Sequence, residues 1–218
     1  MTSTDIDSII KILRREVVHY KVPVVDLIQV QTKDPFKVLV ATILSARTKD
    51  ETTAVVCKRL FGKVGKLEDL EHVSEAELRE LIYPVGFYKT KAKHLKELPA
   101  LMKEEFDGNV PHEIDDLLKL PGVGRKTANL VRAVAFEKPA ICVDVHVWRI
   151  SNRLGYVRTK TPHETEIALR KKLPEKYWTT FNTMLVAFGQ NICRPVSPKC
   201  SEFPINQYCK KIGVTSTR

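Results

Sequence analysis

Apolar residues recur every three or four positions along most of this chain, which is the period of an amphipathic helix. Polar residues that favour helix starts precede several of these stripes. Asp34 and Thr161 each stand directly before a proline, and Ser74 begins a Ser-x-x-Glu capping box. The pattern predicts an all-α protein in which residues 21–31 form a connection. The clearest stripes are Ile6, Ile9, Ile10, Leu13 and Val17; Phe36, Leu39, Val40, Ile43 and Leu44; and Trp178, Phe181, Met184, Leu185 and Phe188.

One glycine-containing turn lies between two predicted helices, in the segment LPGVGRKTA at residues 120–128. Glycine tolerates positive φ and allows another backbone to come close, so this turn is expected to expose successive N–H groups at the start of the helix over 125–136. Such a helix end binds a phosphate oxygen without reading base sequence. The segment therefore predicts a DNA-binding helix-hairpin-helix. From the spacing alone, an ordinary connection between helices is the commoner explanation.

Two residues near this turn are candidates for chemistry. Lys126 lies on the first turn of the second helix, where the helix dipole disfavours the protonated amine and partial burial would act in the same direction. A neutral amine forms a Schiff base with a sugar carbonyl. Asp144 follows the apolar run 140–143 and occupies the N-cap position of the next helix. Taken singly, each is most often a surface lysine or a plain cap, but together with the hairpin they indicate a nucleophile and its carboxylate partner.

Composition narrows the class of partner. Of 218 residues, 36 are Lys or Arg and 26 are Asp or Glu, and the net charge of +10 fits a nucleic-acid partner as well as a generic basic protein. No apolar run is long enough to span a membrane, and the polar first residues do not resemble a targeting peptide. We therefore expect a monomeric, cytoplasmic, nucleoid-associated protein whose five cysteines form no disulfide framework.

The sequences LPGVGRKTANLVRAVAF at 120–136 and VDVHVWRISNRLG at 143–155 resemble the endonuclease III family of DNA base-excision glycosylases, and the resemblance extends over residues 36–209. It implies a helix-hairpin-helix glycosylase fold of two helical domains, residues 25–138 and residues 1–24 plus 139–218, with a DNA-binding cleft between them. It further implies that Lys126 attacks the sugar C1′ of a damaged nucleotide and expels the base. The Schiff base then permits β-elimination, while Asp144 helps to deprotonate Lys126 and stabilises positive charge on the sugar.

The resemblance also implies a set of DNA contacts. Arg47 stands where the family usually has a glutamine that fills the gap left by the extruded base, and an arginine there can both stack and donate. Phe87, at a glycine turn, is the candidate for an apolar wedge that unstacks the duplex. A surface arginine and a core phenylalanine are the simpler alternatives. The remaining predicted DNA contacts are Gly122, Val123, Gly124, Arg125, Thr127, Lys89, Lys91, His146 and Arg149.

The C-terminal tail departs from the family pattern. The family commonly ends in four cysteines, C-x6-C-x2-C-x5-C, that bind a 4Fe–4S cluster. Cys193, Cys200 and Cys209 fit three of these positions, but Phe203 occupies the third, and a phenyl ring does not ligate iron. We expect an empty or incompletely assembled cluster site, the alternative being three free cysteines packed in a small tail. No step of the expected chemistry requires iron.

These features predict a bifunctional glycosylase and abasic-site lyase that acts on oxidised pyrimidines in damaged double-stranded DNA. A monofunctional glycosylase for mismatched or deaminated bases is the nearest alternative, and Lys126 argues against it because related families without strand cleavage generally lack the lysine. A non-catalytic DNA-binding module is a further alternative, since hairpins of this kind also occur in polymerases and ligases. Such hairpins do not require a lysine paired with a downstream aspartate.

Overall fold

The computed structural model describes residues 5–20 and 23–218, and every regular element in these ranges is helical. The all-α prediction is therefore confirmed for the described chain. Its α-helices, in order, are α1 (Ile6–Glu16), α2 (Val24–Thr32), α3 (Pro35–Ser45), α4 (Asp50–Phe61), α5 (Asp69–His72), α6 (Glu75–Ile82), α7 (Tyr88–Phe106), α8 (Ile114–Leu117), α9 (Arg125–Ala135), α10 (Val145–Arg153), α11 (Pro162–Lys172) and α12 (Trp178–Asn191). Short 3₁₀ segments lie at Val17–His19, Glu175–Tyr177, Cys200–Glu202 and Pro204–Tyr208.

The capping residues recognised in the sequence begin helices in the structure. The side chain of Asp34 accepts a hydrogen bond from the backbone N–H two residues later, at 2.9 Å. Ser74 and Thr161 each accept one from the N–H three residues later, at 3.2 and 3.1 Å. These bonds satisfy donors that have no partner inside the helix, and so they fix where α3, α6 and α11 start.

The prediction of a connection over residues 21–31 is wrong for most of its length. Residues 21–22 lie outside the described part of the chain, but α2 runs over Val24–Thr32. Val24, Val25 and Ile28 are buried, and their spacing defines one narrow helical face. Pro23 precedes the first helical residue, which is a favourable place for proline and not a sign of a loop.

The described chain divides into two compact units. The first, here called the hairpin unit, comprises residues 24–138 and is built around α3. Almost every side chain of α3 from Val38 to Leu44 is buried, as expected for a helix that is apolar on all sides. This helix packs against α2, α4, α7 and α9. One buried helix thus packs against both α7 and α9, near whose starts most of the candidate DNA-contacting residues of this unit lie.

The second unit, here called the tail unit, combines the described residues up to Pro23 with residues 139–218. Its core joins the buried stripe of α1 to α10, α11 and α12. The aromatic residues Phe181 and Phe188 of α12 are buried in this core, so they are not available as platforms for bases. Within the described residues, no helix is both long and apolar enough to cross a membrane.

Candidate active site and DNA interface

The hairpin between α8 and α9 has one position that requires glycine. Gly122 has a φ of +79°, and a Cβ atom added there would lie 2.7 Å from Nδ1 of His94. The backbone conformation and the close contact both disfavour a side chain at this position. Gly124, by contrast, is extended and has open space around it. Val123 is buried, and its N–H donates to the carbonyl oxygen of Leu120 at 3.1 Å, so it closes the turn and its amide is not available to a phosphate, contrary to the sequence prediction.

The start of α9 has amides that lie outside its helical hydrogen-bond pattern. The helical hydrogen bonds begin with the N–H of Ala128 donating to the carbonyl oxygen of Gly124 at 2.9 Å. The amides of residues 125–127 come before this bond and therefore have no acceptor within the helix. Arg125 is exposed, whereas the Thr127 side chain is buried, so Thr127 offers a phosphate only its backbone N–H. This end of α9 has the geometry of an anion site.

Lys126 occupies the first turn of this same helix. Its side chain is exposed, so the partial burial considered from the sequence is not observed. The first turn of α9 carries Arg125 beside it and no acidic residue. A cation at this position is opposed by the helix dipole. The fold thus presents a primary amine at an exposed, electropositive helix end.

Asp144 is held rigidly as the N-cap of α10. Its Oδ1 accepts hydrogen bonds from the backbone N–H groups of His146, at 2.8 Å, and Val147, at 2.9 Å. The segment 140–143 that precedes it is buried, and the side-chain amide of Asn182 donates to the carbonyl oxygen of Cys142 at 3.2 Å. The carboxylate is half-buried and belongs to the tail unit, whereas Lys126 belongs to the hairpin unit. Both capping bonds use one oxygen, so the orientation of the carboxylate is fixed.

The structure brings Arg47 and Phe87 together. The guanidinium of Arg47 lies 5.4 Å from the centroid of the Phe87 ring. Phe87 is 62% exposed, so it is not a core residue, and Arg47 is exposed as well. Both have left-handed backbone conformations, with φ of 55° and 58°. Two residues from separate loops of the hairpin unit therefore form one exposed cation–π pair.

The two lysines that follow Phe87 have different environments. Lys89 is exposed and remains a candidate for a phosphate contact. Lys91 is buried, and its Nζ donates to the carbonyl oxygens of Leu44, at 2.8 Å, and Ala46, at 2.6 Å. The prediction that Lys91 contacts DNA is therefore wrong, because its ammonium group is buried and donates its hydrogen bonds to the protein's own backbone.

Arg149 also points into the protein. Its Nη2 donates to the carbonyl oxygens of Gly189, at 3.3 Å, and Cys193, at 2.8 Å, and lies 3.1 Å from Nδ1 of His146. Burial lowers the pKa of this guanidinium. Arg149 thus stabilises the end of α12, where carbonyl groups lack helical partners, and this position does not support the predicted phosphate contact. His146 is half-buried beside it.

The space among the tail cysteines determines whether a 4Fe–4S cluster fits there. Phe203 is 4% exposed, and its ring packs on Phe188 with centroids 4.5 Å apart. The space among Phe203 and the three cysteines is about 30 Å³, enough for one or two water molecules. Among the described residues, no three His, Cys, Asp or Glu side chains are arranged to hold a metal ion. The ring lines this small space, which is too small for a four-iron cluster.

Two of the three thiols of the tail make hydrogen bonds to other groups of the protein. The buried Sγ of Cys193 accepts a hydrogen bond from Arg153 at 3.4 Å. The Sγ of Cys209 donates to the carbonyl oxygen of Arg153 at 3.5 Å, and burial raises the pKa of this thiol. The residues present therefore do not fit the cluster, and the expected ligand set Cys193, Cys200 and Cys209 is not supported.

Arg153 is the structural residue that sequence reasoning missed. It is buried, and its guanidinium donates to the carbonyl oxygens of Arg194, at 2.6 Å, and Pro195, at 2.7 Å, in addition to Cys193. It anchors the tail where the family pattern places a cluster ligand. A signal was available, because Arg153 lies three residues after the buried Ile150 on the inner stripe of α10.

The chain is similar to known base excision DNA repair proteins. The family model of the HhH-GPD superfamily of base excision DNA repair proteins matches residues 40–175. Endonuclease III of Thermotoga maritima is 48% identical over 177 residues, which cover 81% of this chain and 83% of that protein.

Solved structures agree as well. A non-covalent endonuclease III–DNA complex matches with a TM-score of 0.86 and 35% identity, covering 97% of this chain and 96% of that chain. A trapped endonuclease III–DNA covalent intermediate matches with a TM-score of 0.80 and 34% identity, covering 97% of each chain. On its hairpin, its helical fold and these similarities, the chain belongs to the endonuclease III family of the HhH-GPD superfamily.

Proposed function

We propose that Lys126 and Asp144 carry out the reaction of this base-excision DNA glycosylase and abasic-site lyase, and that its substrates are oxidised pyrimidines in duplex DNA. The observation that carries the proposal is the exposed amine of Lys126 on the first turn of α9, directly after the hairpin. The similarity to a protein trapped in a covalent intermediate with DNA supports it, because such an intermediate requires a nucleophile on the enzyme.

Base release begins at the sugar. The neutral Nζ of Lys126 attacks C1′, and the bond between C1′ and the base nitrogen breaks. Its electron pair leaves with the base, which takes up a proton. Asp144 helps to remove the proton from Lys126, and its negative charge stabilises the positive charge that develops on the sugar. The two amides that bind Oδ1 keep the carboxylate in one orientation during these steps.

Strand cleavage follows from the covalent intermediate. The bond between C1′ and O4′ of the sugar ring breaks, O4′ takes up a proton, and the electron pair of Nζ of Lys126 forms the Schiff base with C1′. The imine makes the proton on C2′ acidic, and its loss drives β-elimination, in which the bond from C3′ to the phosphate oxygen breaks and the phosphate leaves with the electron pair. Water then hydrolyses the imine and restores the amine of Lys126.

The proposed DNA contacts follow the exposure of each group. The amides at the start of α9 and the side chain of Arg125 bind phosphate, and Lys89 adds a second positive charge. Phe87 is the wedge, and Arg47 fills the gap beside the unpaired base. A single chain on damaged double-stranded DNA is sufficient because the nucleophile and the carboxylate belong to one polypeptide. We expect it to act wherever the cell holds its DNA.

Borohydride trapping tests this assignment. Duplex DNA with one oxidised pyrimidine, and a matched duplex with an abasic site, are incubated with the protein and sodium borohydride, which reduces a Schiff base to a stable adduct. Wild type should be trapped on both. Lys126→Gln should bind DNA without being trapped. The matched control is Lys119→Gln, since Lys119 is also an exposed lysine of the hairpin and lies 2.9 Å from Asp116.

The outcomes separate the parts of the proposal. An adduct with Lys119→Gln and none with Lys126→Gln supports Lys126 as the nucleophile. An adduct on the abasic duplex alone would leave the lyase intact and exclude oxidised pyrimidines. Wild-type nicking by Lys126→Gln would refute the mechanism.

A further inference from the structure

The ammonium group of Lys91 is surrounded by oxygen atoms of a neighbouring loop. Lys91 is 6% exposed, and its Nζ donates to the carbonyl oxygens of Leu44 and Ala46 and to Oγ1 of Thr48, at 3.3 Å. These carbonyls lie at the carboxyl end of α3, where a helix leaves acceptors unsatisfied and its dipole favours a cation. Three acceptors therefore meet the three donors of one ammonium.

The same loop is tied to the turn that precedes α7. The N–H of Gly86 donates to Oγ1 of Thr48 at 3.0 Å. A Cβ atom added to Gly86 would lie 2.5 Å from the carbonyl oxygen of Arg47, so the two backbones touch where no side chain fits. Thr48, Gly86 and Lys91 thus join the two loops, and we call these three residues the loop clamp.

Each loop of the clamp carries one member of the exposed cation–π pair. Arg47 directly precedes Thr48, and Phe87 directly follows Gly86. Both adopt left-handed backbone conformations that bulky residues rarely adopt, and such conformations persist only where the surroundings impose them. The contact between the guanidinium of Arg47 and the ring of Phe87 therefore depends on the loop clamp, which fixes the backbone of both loops.

We propose that Lys91 is a positioning residue that holds the two loops together, so that Arg47 and Phe87 meet the duplex as one preformed pair. A planar cation already in contact with an aromatic ring matches a base stack, into which the ring inserts while the guanidinium donates to the base left unpaired. Preformation removes the entropy cost of ordering the two side chains on DNA. The inference rests on the proposed function, since it assumes that Phe87 and Arg47 contact the duplex. Lys91 itself takes no part in bond breaking.

A purely stabilising role predicts a different result. Burial lowers the pKa of Lys91 to about 8, which shows that keeping this cation out of water has a cost. An apolar side chain of similar length relieves that cost, so Lys91→Met is compatible with a folded protein. If Lys91 positions the pair, the variant should fold and yet open the duplex poorly.

The chain supplies a matched control on the same helix. Nζ of Lys96 also donates to three backbone carbonyl oxygens, those of Leu70, Glu71 and Val73, at 3.1, 2.9 and 2.9 Å. These carbonyls lie at the end of α5 and not at the loops of Arg47 and Phe87. Lys96→Met therefore removes the same kind of interaction without touching the clamp.

The experiment compares two rates in the full-length chain. The first is single-turnover base release from duplex DNA with one oxidised pyrimidine, and the second is borohydride trapping on a preformed abasic duplex, which has no base to extrude. Lys91→Met should lower the first about tenfold and change the second by less than about threefold. Lys96→Met should change neither. In a Phe87→Ala background, Lys91→Met should add little further loss, because it acts through the pair.

Other outcomes would overturn the inference. They are an equal fall in both rates, the same result for Lys91→Met and Lys96→Met, or full additivity with Phe87→Ala. If Lys91→Met does not fold, Thr48→Val is the second variant, because it removes the hydroxyl that links Lys91 to Gly86 at nearly constant shape. An unchanged ratio of the two rates in Thr48→Val would then reject the role.

The readout also separates this inference from the proposed function. A wild-type protein that forms no adduct on the abasic duplex would refute the proposed function. Unstacking can still be followed in that case by the fluorescence of 2-aminopurine placed opposite a stable abasic analogue. A signal that falls with Lys91→Met and stays with Lys96→Met supports the positioning role, and equal signals reject it.

Discussion

Lys126 stands exposed at the start of α9, whereas Cys193, at the start of the C-terminal tail, is buried against the guanidinium of Arg153. Both belong to residue types that react readily as nucleophiles. The amine of Lys126 is exposed and does not lie in the core of the hairpin unit. The thiol of Cys193, by contrast, accepts a hydrogen bond inside the tail unit. The difference teaches that the surroundings, more than the residue type, decide which group meets a substrate and which one stabilises the chain.

The largest effect should come from removing the nucleophile while keeping its charge. Lys126→Arg retains a cation at the start of α9 but forms no Schiff base, so trapping and nicking should fall by about 10³-fold or more while DNA affinity and its salt dependence stay unchanged. Lys119→Arg is the control and should behave as wild type. A trapped adduct that persists in Lys126→Arg would place the nucleophile elsewhere.

The next effect concerns the ring that fills the tail. Phe203→Ala removes the packing against Phe188 and should lower the free energy of unfolding by about 3–5 kcal/mol, measured by urea denaturation. Phe87→Ala truncates an exposed ring and should change it by about 0.5 kcal/mol or less. Equal losses in the two variants would show that the tail does not depend on Phe203.

A smaller effect is expected when a cysteine replaces Phe203, because this change supplies the cluster ligand that the tail lacks. Phe203→Cys completes the four-cysteine pattern, so after anaerobic reconstitution it should bind more iron per chain than wild type. Phe203→Ser is the matched control, because it also loses the ring but supplies no thiolate. An iron–sulfur absorbance that is the same in both variants would mean that the tail cannot open to admit a cluster.

The smallest effect is expected at the most accessible thiol of the tail. Cys200 is only partly buried, and Cys200→Ser should leave the nicking rate within about twofold of wild type and stability within about 0.5 kcal/mol. A joint loss of nicking and of bound iron in this variant would show that the thiols act as ligands after all.

The features that could be predicted from the sequence are those made by neighbours along the chain. The caps at Asp34, Ser74 and Thr161 bond to amides two or three residues away, so a short pattern contains both partners. The hairpin turn is equally local. Asp144 is a cap with two bonds of this kind, as its position before α10 indicates. Its chemical role stays a prediction.

The features that could not be predicted depend on partners far away in the sequence. Lys91 lies on the buried stripe of α7 with Leu95 and Leu98, but the carbonyl of Leu44 that it binds lies 47 residues earlier, so no local pattern contains this partner. Arg149 finds its acceptors 40 and 44 residues later. A positive charge in a basic chain suggests DNA, but whether it faces DNA or a cluster of carbonyls is decided by packing. The exposure of the Phe87 side chain could not be predicted either, because it too depends on packing between segments that are distant in the sequence.

The buried ammonium of Lys91 also couples folding to protons. Since its pKa is about 8 when folded and 10.5 when free, the folded chain binds this proton less tightly than the unfolded chain does. The cost of burying the charge is therefore complete below pH 8 and is relieved as the pH rises towards 10.5, by about 1.4 kcal/mol per pH unit. The difference in unfolding free energy between wild type and Lys91→Met, followed across this window, should grow in favour of wild type, and a flat difference would contradict it. The loops that carry Arg47 and Phe87 are thus anchored on a group whose protonation is linked to the folding equilibrium.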